Sequence, residues 1–267
     1  MTDKKDGRQI AKKNEHRCLR AIHRFGWLRT KDIAVLCWRK WPSSSQGLTS
    51  LGPVEPTASQ LRMAQRTMRR LRTSKLVISN QGPDGSRLYA LSEAGSRCLR
   101  SLGVVSAASG KDLVRGFSSA YYLHRKISNQ IAIAGILQGL KVANEREIAQ
   151  GKWIGGEDGI AGKRPDVLLY DEQKIWWIEV ERSRKNFKDY QALLRWIGIV
   201  LRDCINPANS HLLGAKRAWG SVIFICTPVF ADKLKKDLIA AGWKKNHIDA
   251  SLCFHSELYQ LGHTLFG

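Results

Sequence analysis

No Cys-x-x-Cys pair occurs in this 267-residue chain, although it has six cysteines. Cys18, Cys37, Cys98, Cys204, Cys226 and Cys253 are scattered, which gives no zinc-site spacing. They read as reduced thiols of a cytoplasmic protein, not as a disulfide frame. No apolar run approaches the roughly 20 residues that a membrane-spanning helix needs. The Lys-rich start has no apolar stretch behind it, which argues against a secretory signal. No segment repeats, and the seven histidines form no His-x-His pair. Acidic residues are scarce, with 23 Asp and Glu against 44 Lys and Arg, so the formal charge is +21 and the pI about 10.0. Such a balance calls for a polyanionic partner. Anionic membrane is the rival to nucleic acid, and the missing apolar spans weigh against it. The excess is uneven: residues 1–100 carry 21 basic against 7 acidic side chains, and the other 167 carry 23 against 16. A hydrophobic content of 43% supports packed cores and excludes general disorder. The length allows one large domain or two ordinary ones.

The first hundred residues alternate helical patterns with one short hairpin. Leu19, Ile22 and Phe25 repeat at helical spacing and stop at Gly26, a C-cap signal. Thr30 caps a second helix, Lys31 to Trp38, and the Ser/Gly/Pro-rich stretch from Pro42 to Pro56 reads as a loop. A third helix starts at Thr57 or Ser59. It buries Leu61, Ala64, Met68 and Leu71, with Arg62, Arg66, Arg69 and Arg70 largely elsewhere around it. Two strands, Leu76–Ser79 and Arg87–Leu91, flank the turn Gly82-Pro83-Asp84-Gly85-Ser86, and Ser92 caps a closing helix to Leu102. This order predicts a winged helix-turn-helix over 1–102 that binds double-stranded DNA. Arg62, Arg66, Arg69 and Arg70 would face the major groove, and Arg87 the adjacent backbone.

Gly103 to Gly110 is small and unpatterned, a linker by composition. Residues 111–267 then read as an α/β domain with a mixed sheet. The expected elements are a helix from Ser118 to Gly139, a strand from Lys141 to Ile148, a Gly-rich loop from Gly151 to Gly162, and a hairpin. After these come a helix from Asn186 to Arg202, the strand Ser221–Cys226, a helix from Asp232 to Ala241 and a last strand near Leu252–Phe254. The hairpin, RPDVLLYDEQKIWWIEVERSRK over Arg164–Lys185, is the richest stretch in chemistry. Pairing its arms brings Asp166 near Glu179 and Glu181, and residues two apart on a strand share a face. Carboxylates gathered in this way call for a cation, and oxygen ligands suit Mg²⁺ or Mn²⁺. Glu145 or Glu147, on the expected preceding strand, would complete the set, with Glu147 preferred. Lys185 is placed to contact phosphate. Tyr121-Tyr122 resembles a nucleophilic pair, but without a His-x-His metal triad aromatic packing is the better reading.

Pro165-Asp166, then Glu179-Val180-Glu181, then the helix from Asn186 resemble the PD-(D/E)xK nuclease superfamily, the restriction-endonuclease-like fold. Glu181 stands where that pattern has lysine. Together with the winged helix, the Tyr122-Leu123-His124 helix opening, RPDVLLY, IEVERSRK and Tyr190 make the chain similar to the replication-relaxation family. That family includes mobilization relaxases of the MOBC type. The resemblance implies a metal-dependent DNA-nicking endonuclease acting at a transfer origin of a plasmid or integrative element. Asp166, Glu179, Glu181 and Lys185 would be its catalytic residues, and accessory mobilization proteins and a coupling protein its partners. The alternative is a non-catalytic replication or transcription factor whose nuclease-like domain is a scaffold.

Overall fold

The computed structural model describes residues 6–45, 47–115, 118–181, 186–205, 210–214 and 216–260, with the backbone alone for residues 259 and 260. The chain is mixed α/β and divides into two units, residues 1–41 with 53–122 and residues 42–52 with 123–267.

In the first unit, α1 (Gly7–Phe25) starts where the Asp6 carboxylate accepts from the Arg8 N–H and ends at Gly26, whose φ of 82° only glycine adopts cheaply. A strand too short to show in the sequence pattern, β1 (Trp27–Arg29), follows, then α2 (Thr30–Trp38) and α3 (Ala58–Thr73). Thr57 and Gln60 form a capping box that satisfies two N–H groups at the start of α3. Strands β2 (Val77–Gln81) and β3 (Arg87–Leu91) form the expected hairpin, and β1 joins it to give an antiparallel sheet in the order β1-β3-β2. Helix α4 (Glu93–Ser101) follows, capped by Ser92. The core is built from Leu19, Ile22, Phe25, Ile33, Met68, Leu71 and Leu88, all at most 1% exposed.

The stretch expected as a linker packs instead onto this unit. Gly110 N–H donates to the Leu91 carbonyl, Arg100 donates to the Ala107 carbonyl, and Val114 is buried against Trp27 and Tyr122. Tyr122 also ties down the β2–β3 turn. Its hydroxyl donates to Asp84 Oδ1 at 2.6 Å and lies 2.8 Å from Ser86 Oγ, while its ring stacks on Trp27. The division between units therefore falls after Tyr122, inside α5 (Ser119–Leu137), later than the composition implied.

The second unit continues with α5 and a five-stranded sheet in the order β4-β5-β6-β7-β8. Its strands are β4 (Lys141–Ala143), β5 (Val167–Tyr170), β6 (Lys174–Val180), β7 (Ala218–Ile225) and β8 (Leu252–His255). The pairs β4–β5 and β5–β6 are antiparallel, whereas β6–β7 and β7–β8 are parallel. The sequence expectation of a strand from Lys141 to Ile148 is corrected. The strand stops at Ala143, and Asn144 caps the short helix α6 (Glu145–Ala149). Helix α7 (Phe187–Cys204) packs Leu193, Trp196, Ile197, Val200 and Leu201 against the sheet, beside the fully buried Trp177. Helices α8 (Pro228–Ala240), α9 (Lys245–Ser251) and α10 (Glu257–Gln260) complete the described residues. None of the described helices is long and apolar enough to cross a membrane.

Candidate functional site

The β5–β6 register pairs Val167 with Ile178, and Asp166 N–H donates to the Ile178 carbonyl at 3.0 Å. One step beyond the ladder, Asp166 therefore stands opposite Glu179 on the same face. Asp166 Oδ2 accepts from Val180 N–H at 2.7 Å, and Oδ1 lies 3.3 Å from His124 Nε2 on α5. Burial would raise this carboxyl's pKa. The His124 hydrogen bond and charge, the Val180 N–H and the Lys163 charge outweigh burial and hold it below the usual range. His124 answers in kind: burial alone would lower its pKa, but Asp166 and then Glu145 raise it.

Glu179 is 4% exposed, and both of its oxygens are engaged. Trp177 Nε1 donates to Oε1 at 2.5 Å and Lys163 Nζ to Oε2 at 2.7 Å. Burial, helped by the Asp166 charge, pushes this carboxyl up to about 7 despite the opposing Lys163 and Trp177 contacts. Lys163 is thus the positive group set among these acids, and sequence reasoning did not single it out. It lies 16 residues from Glu179, with no local pattern linking the two.

The other expected site residues fall differently. Glu181 is 7% exposed, and its N–H donates to the Ile225 carbonyl, one step past the β6–β7 ladder. Its charge reaches Cys226, adding to the burial that pushes that thiol up to about 12. Glu147 faces its own helix start: Oε2 accepts from Asn144 N–H at 3.1 Å in a capping box, so it is occupied as a helix cap. Its neighbour Glu145 is the one turned to the cluster. Glu145 Oε1 is 3.0 Å from Arg125, and Oε2 is 3.8 Å from His124 Nδ1, buried with no hydrogen-bond partner. Lys185 lies outside the described residues, as do Arg182 and Arg184.

The donor chemistry can be weighed against a hard cation. Among the described residues no group of three or more His, Cys, Asp or Glu is arranged to hold a metal. Mg²⁺, however, is commonly held by one or two carboxylates and completed by water and substrate phosphate. Asp166 and Glu179, with Glu145 Oε2, which accepts no hydrogen bond, reaching the same His124, fit that open mode in donor type.

In the first unit, Arg62, Arg66 and Arg69 are exposed on α3 at spacings of four and three, one stripe of the helix. No ion pair among the described residues engages these three. Arg70 differs, because its Nε is 2.9 Å from Glu15 Oε1 on α1 and its charge is met within the protein. Arg87 is exposed at the start of β3, with one guanidinium nitrogen 3.4 Å from Ser79 Oγ. Tyr122 is 2% exposed, and burial with the Asp84 hydrogen bond raises its pKa, so it is a packing residue. No family model, no curated protein and no solved structure matches the chain.

Proposed function

We propose that this chain binds double-stranded DNA through its first unit and nicks one strand at a site on its second, as a relaxase does in mobilizing a plasmid or integrative element. The observation that carries the reading is the pairing of Asp166 opposite Glu179 at the open end of β5–β6, with Lys163 on the glutamate. The order α5-β4-α6-β5-β6-α7-β7 around that pair, with β6 and β7 parallel, supports a restriction-endonuclease-like domain. Likewise, α2, α3 and the β2–β3 hairpin with β1 beside it support a winged helix-turn-helix. The unpaired stripe Arg62-Arg66-Arg69 is the surface offered to DNA phosphates and guanine edges.

Asp166 and Glu179 would hold Mg²⁺ or Mn²⁺, with Glu145 in place of Glu147 as the acid alongside. When bound, such an ion polarises the phosphate and lowers the pKa of water. His124 keeps Asp166 ionised and oriented through its Nε2 contact. In hydrolysis the water oxygen forms a bond to phosphorus while the bond from phosphorus to the leaving sugar oxygen breaks. The water's proton passes to solvent, and the leaving oxygen takes one from solvent.

One observation favours a second reading. Asp166 and Glu179 already have partners for all four carboxylate oxygens, which suits a scaffold that only supports DNA binding. The two readings part on supercoiled plasmid that carries the DNA flanking the protein's own coding sequence, incubated with Mg²⁺ or Mn²⁺. Relaxed circles made by wild type and lost in D166A and E179A support the nicking enzyme. Tight binding without relaxed product, with accessory proteins added, supports the scaffold.

A further inference from the structure

The Gly-rich stretch before the hairpin, unremarkable in sequence, is built to deliver one side chain. Ile160 and Lys163 exchange both backbone hydrogen bonds, at 2.9 and 3.2 Å, around Ala161 and Gly162, whose φ angles are 52° and 75°. Two successive left-handed residues make a tight primed turn, and a left-handed alanine costs about 1 kcal/mol. Gly159, at φ 80°, lies so close that a Cβ there would sit 2.4 Å from the Lys163 carbonyl oxygen. Trp196 Nε1 donates to the Ile160 carbonyl at 2.9 Å, anchoring the turn to α7. The Lys163 ammonium then lies 5.6 Å from the Trp196 ring centroid and 2.7 Å from Glu179 Oε2. Its side chain keeps 23% exposure while Glu179 keeps 5%. Lys163 is thus the more exposed member of a pair whose carboxylate is sealed. Backbone held at this cost at a site is a mark of function.

We propose that Lys163 is a catalytic residue of the nicking site: its ammonium bridges Glu179 and the scissile phosphate of bound DNA. The assignment rests on the nicking reading above. An ammonium has three donors and Glu179 takes one, leaving donors to meet a phosphate oxygen. Placed there before substrate arrives, the charge is preorganised for the negative charge that develops on that oxygen.

The test uses the full chain with K163M, which keeps the apolar stem over Trp196, and K163R, which keeps the charge. On the supercoiled plasmid in Mg²⁺, K163M is expected to slow nicking by roughly 100-fold. Its affinity for a 40-base-pair duplex should stay within about twofold, since one phosphate contact among many is lost. K163R should recover at least a tenth of the wild-type rate, a rescue that a merely structural role would not require of charge. Equal nicking by wild type and K163M overturns the assignment and leaves the nicking reading standing. If wild type nicks nothing, that reading fails, and amine acylation followed by mass spectrometry decides Lys163 separately. Protection of Lys163 by the bound duplex supports the phosphate contact; acylation at the same rate with and without DNA overturns it.

Discussion

Replacing Glu179 with glutamine removes a titrating carboxyl from the interior without removing its bulk. Burial raises the Glu179 pKa from 4.5 to about 7. The folded protein therefore binds a proton there more tightly than the unfolded chain does. For an acid shifted upward, the stabilising contribution is complete below the unfolded pKa and is lost as pH rises through the folded one. The window is thus pH 4.5 to 7, and its full depth is about 3 kcal/mol for a shift of this size. The group is 4% exposed, so screening by solvent takes little from that figure. Urea unfolding of wild type and E179Q, followed by tryptophan fluorescence in EDTA at half-unit steps from pH 4.5 to 8, isolates the effect. Trp177, which donates directly to Glu179, is one of the nine tryptophans whose emission follows the unfolding. The stability of wild type relative to E179Q should fall by about 3 kcal/mol across the window. Parallel curves for the two proteins would falsify the claim that a carboxyl of raised pKa sits beneath Lys163.

Three further outcomes are expected. R62A, R66A and R69A should each weaken DNA binding and lower the slope of log affinity against log salt by about one, whereas R70A, paired with Glu15, should lower it less; fluorescence anisotropy across a salt series decides this. Y122F leaves Asp84 and Ser86 without their shared hydroxyl partner and should destabilise the first unit by about 1–2 kcal/mol, measured by denaturant unfolding. G95A places a methyl 2.0 Å from the Leu76 carbonyl oxygen, a backbone clash that should cost about 3 kcal/mol or more and lower the melting temperature in calorimetry.

Much of the fold was legible because its signals are local. The Thr57 cap, the apolar spacing of Leu61, Ala64, Met68 and Leu71, and the Gly82–Ser86 turn each act within a few residues. The apolar run Ile175–Val180 likewise marked β6 to within a residue. The strand expected over Lys141–Ile148 failed for a local reason: Asn144 with Glu147 three residues on is a capping box, and it outweighed the β-like composition. β1 was missed because three residues carry no period, and pairing with β3 alone makes it a strand. The site was half legible. Asp166 and Glu179 follow from hairpin pairing, which sequence spacing encodes. His124, Glu145 and Lys163 arrive from separate elements, 42, 21 and 3 residues before Asp166, and only the folded sheet brings them together. Arg70 could not be told from its neighbours until α1 brought Glu15 against it.

The fit of Gly110, Val114 and Tyr122 against β3 and Trp27 sets where the chain can be cut. A fragment ending at 102 would strip Val114 and Tyr122 from the indole, leaving bare a large apolar ring that is 2% exposed in the whole protein. A piece that keeps this cover has to include Tyr122 and enough of α5 after it to hold that residue in a helix.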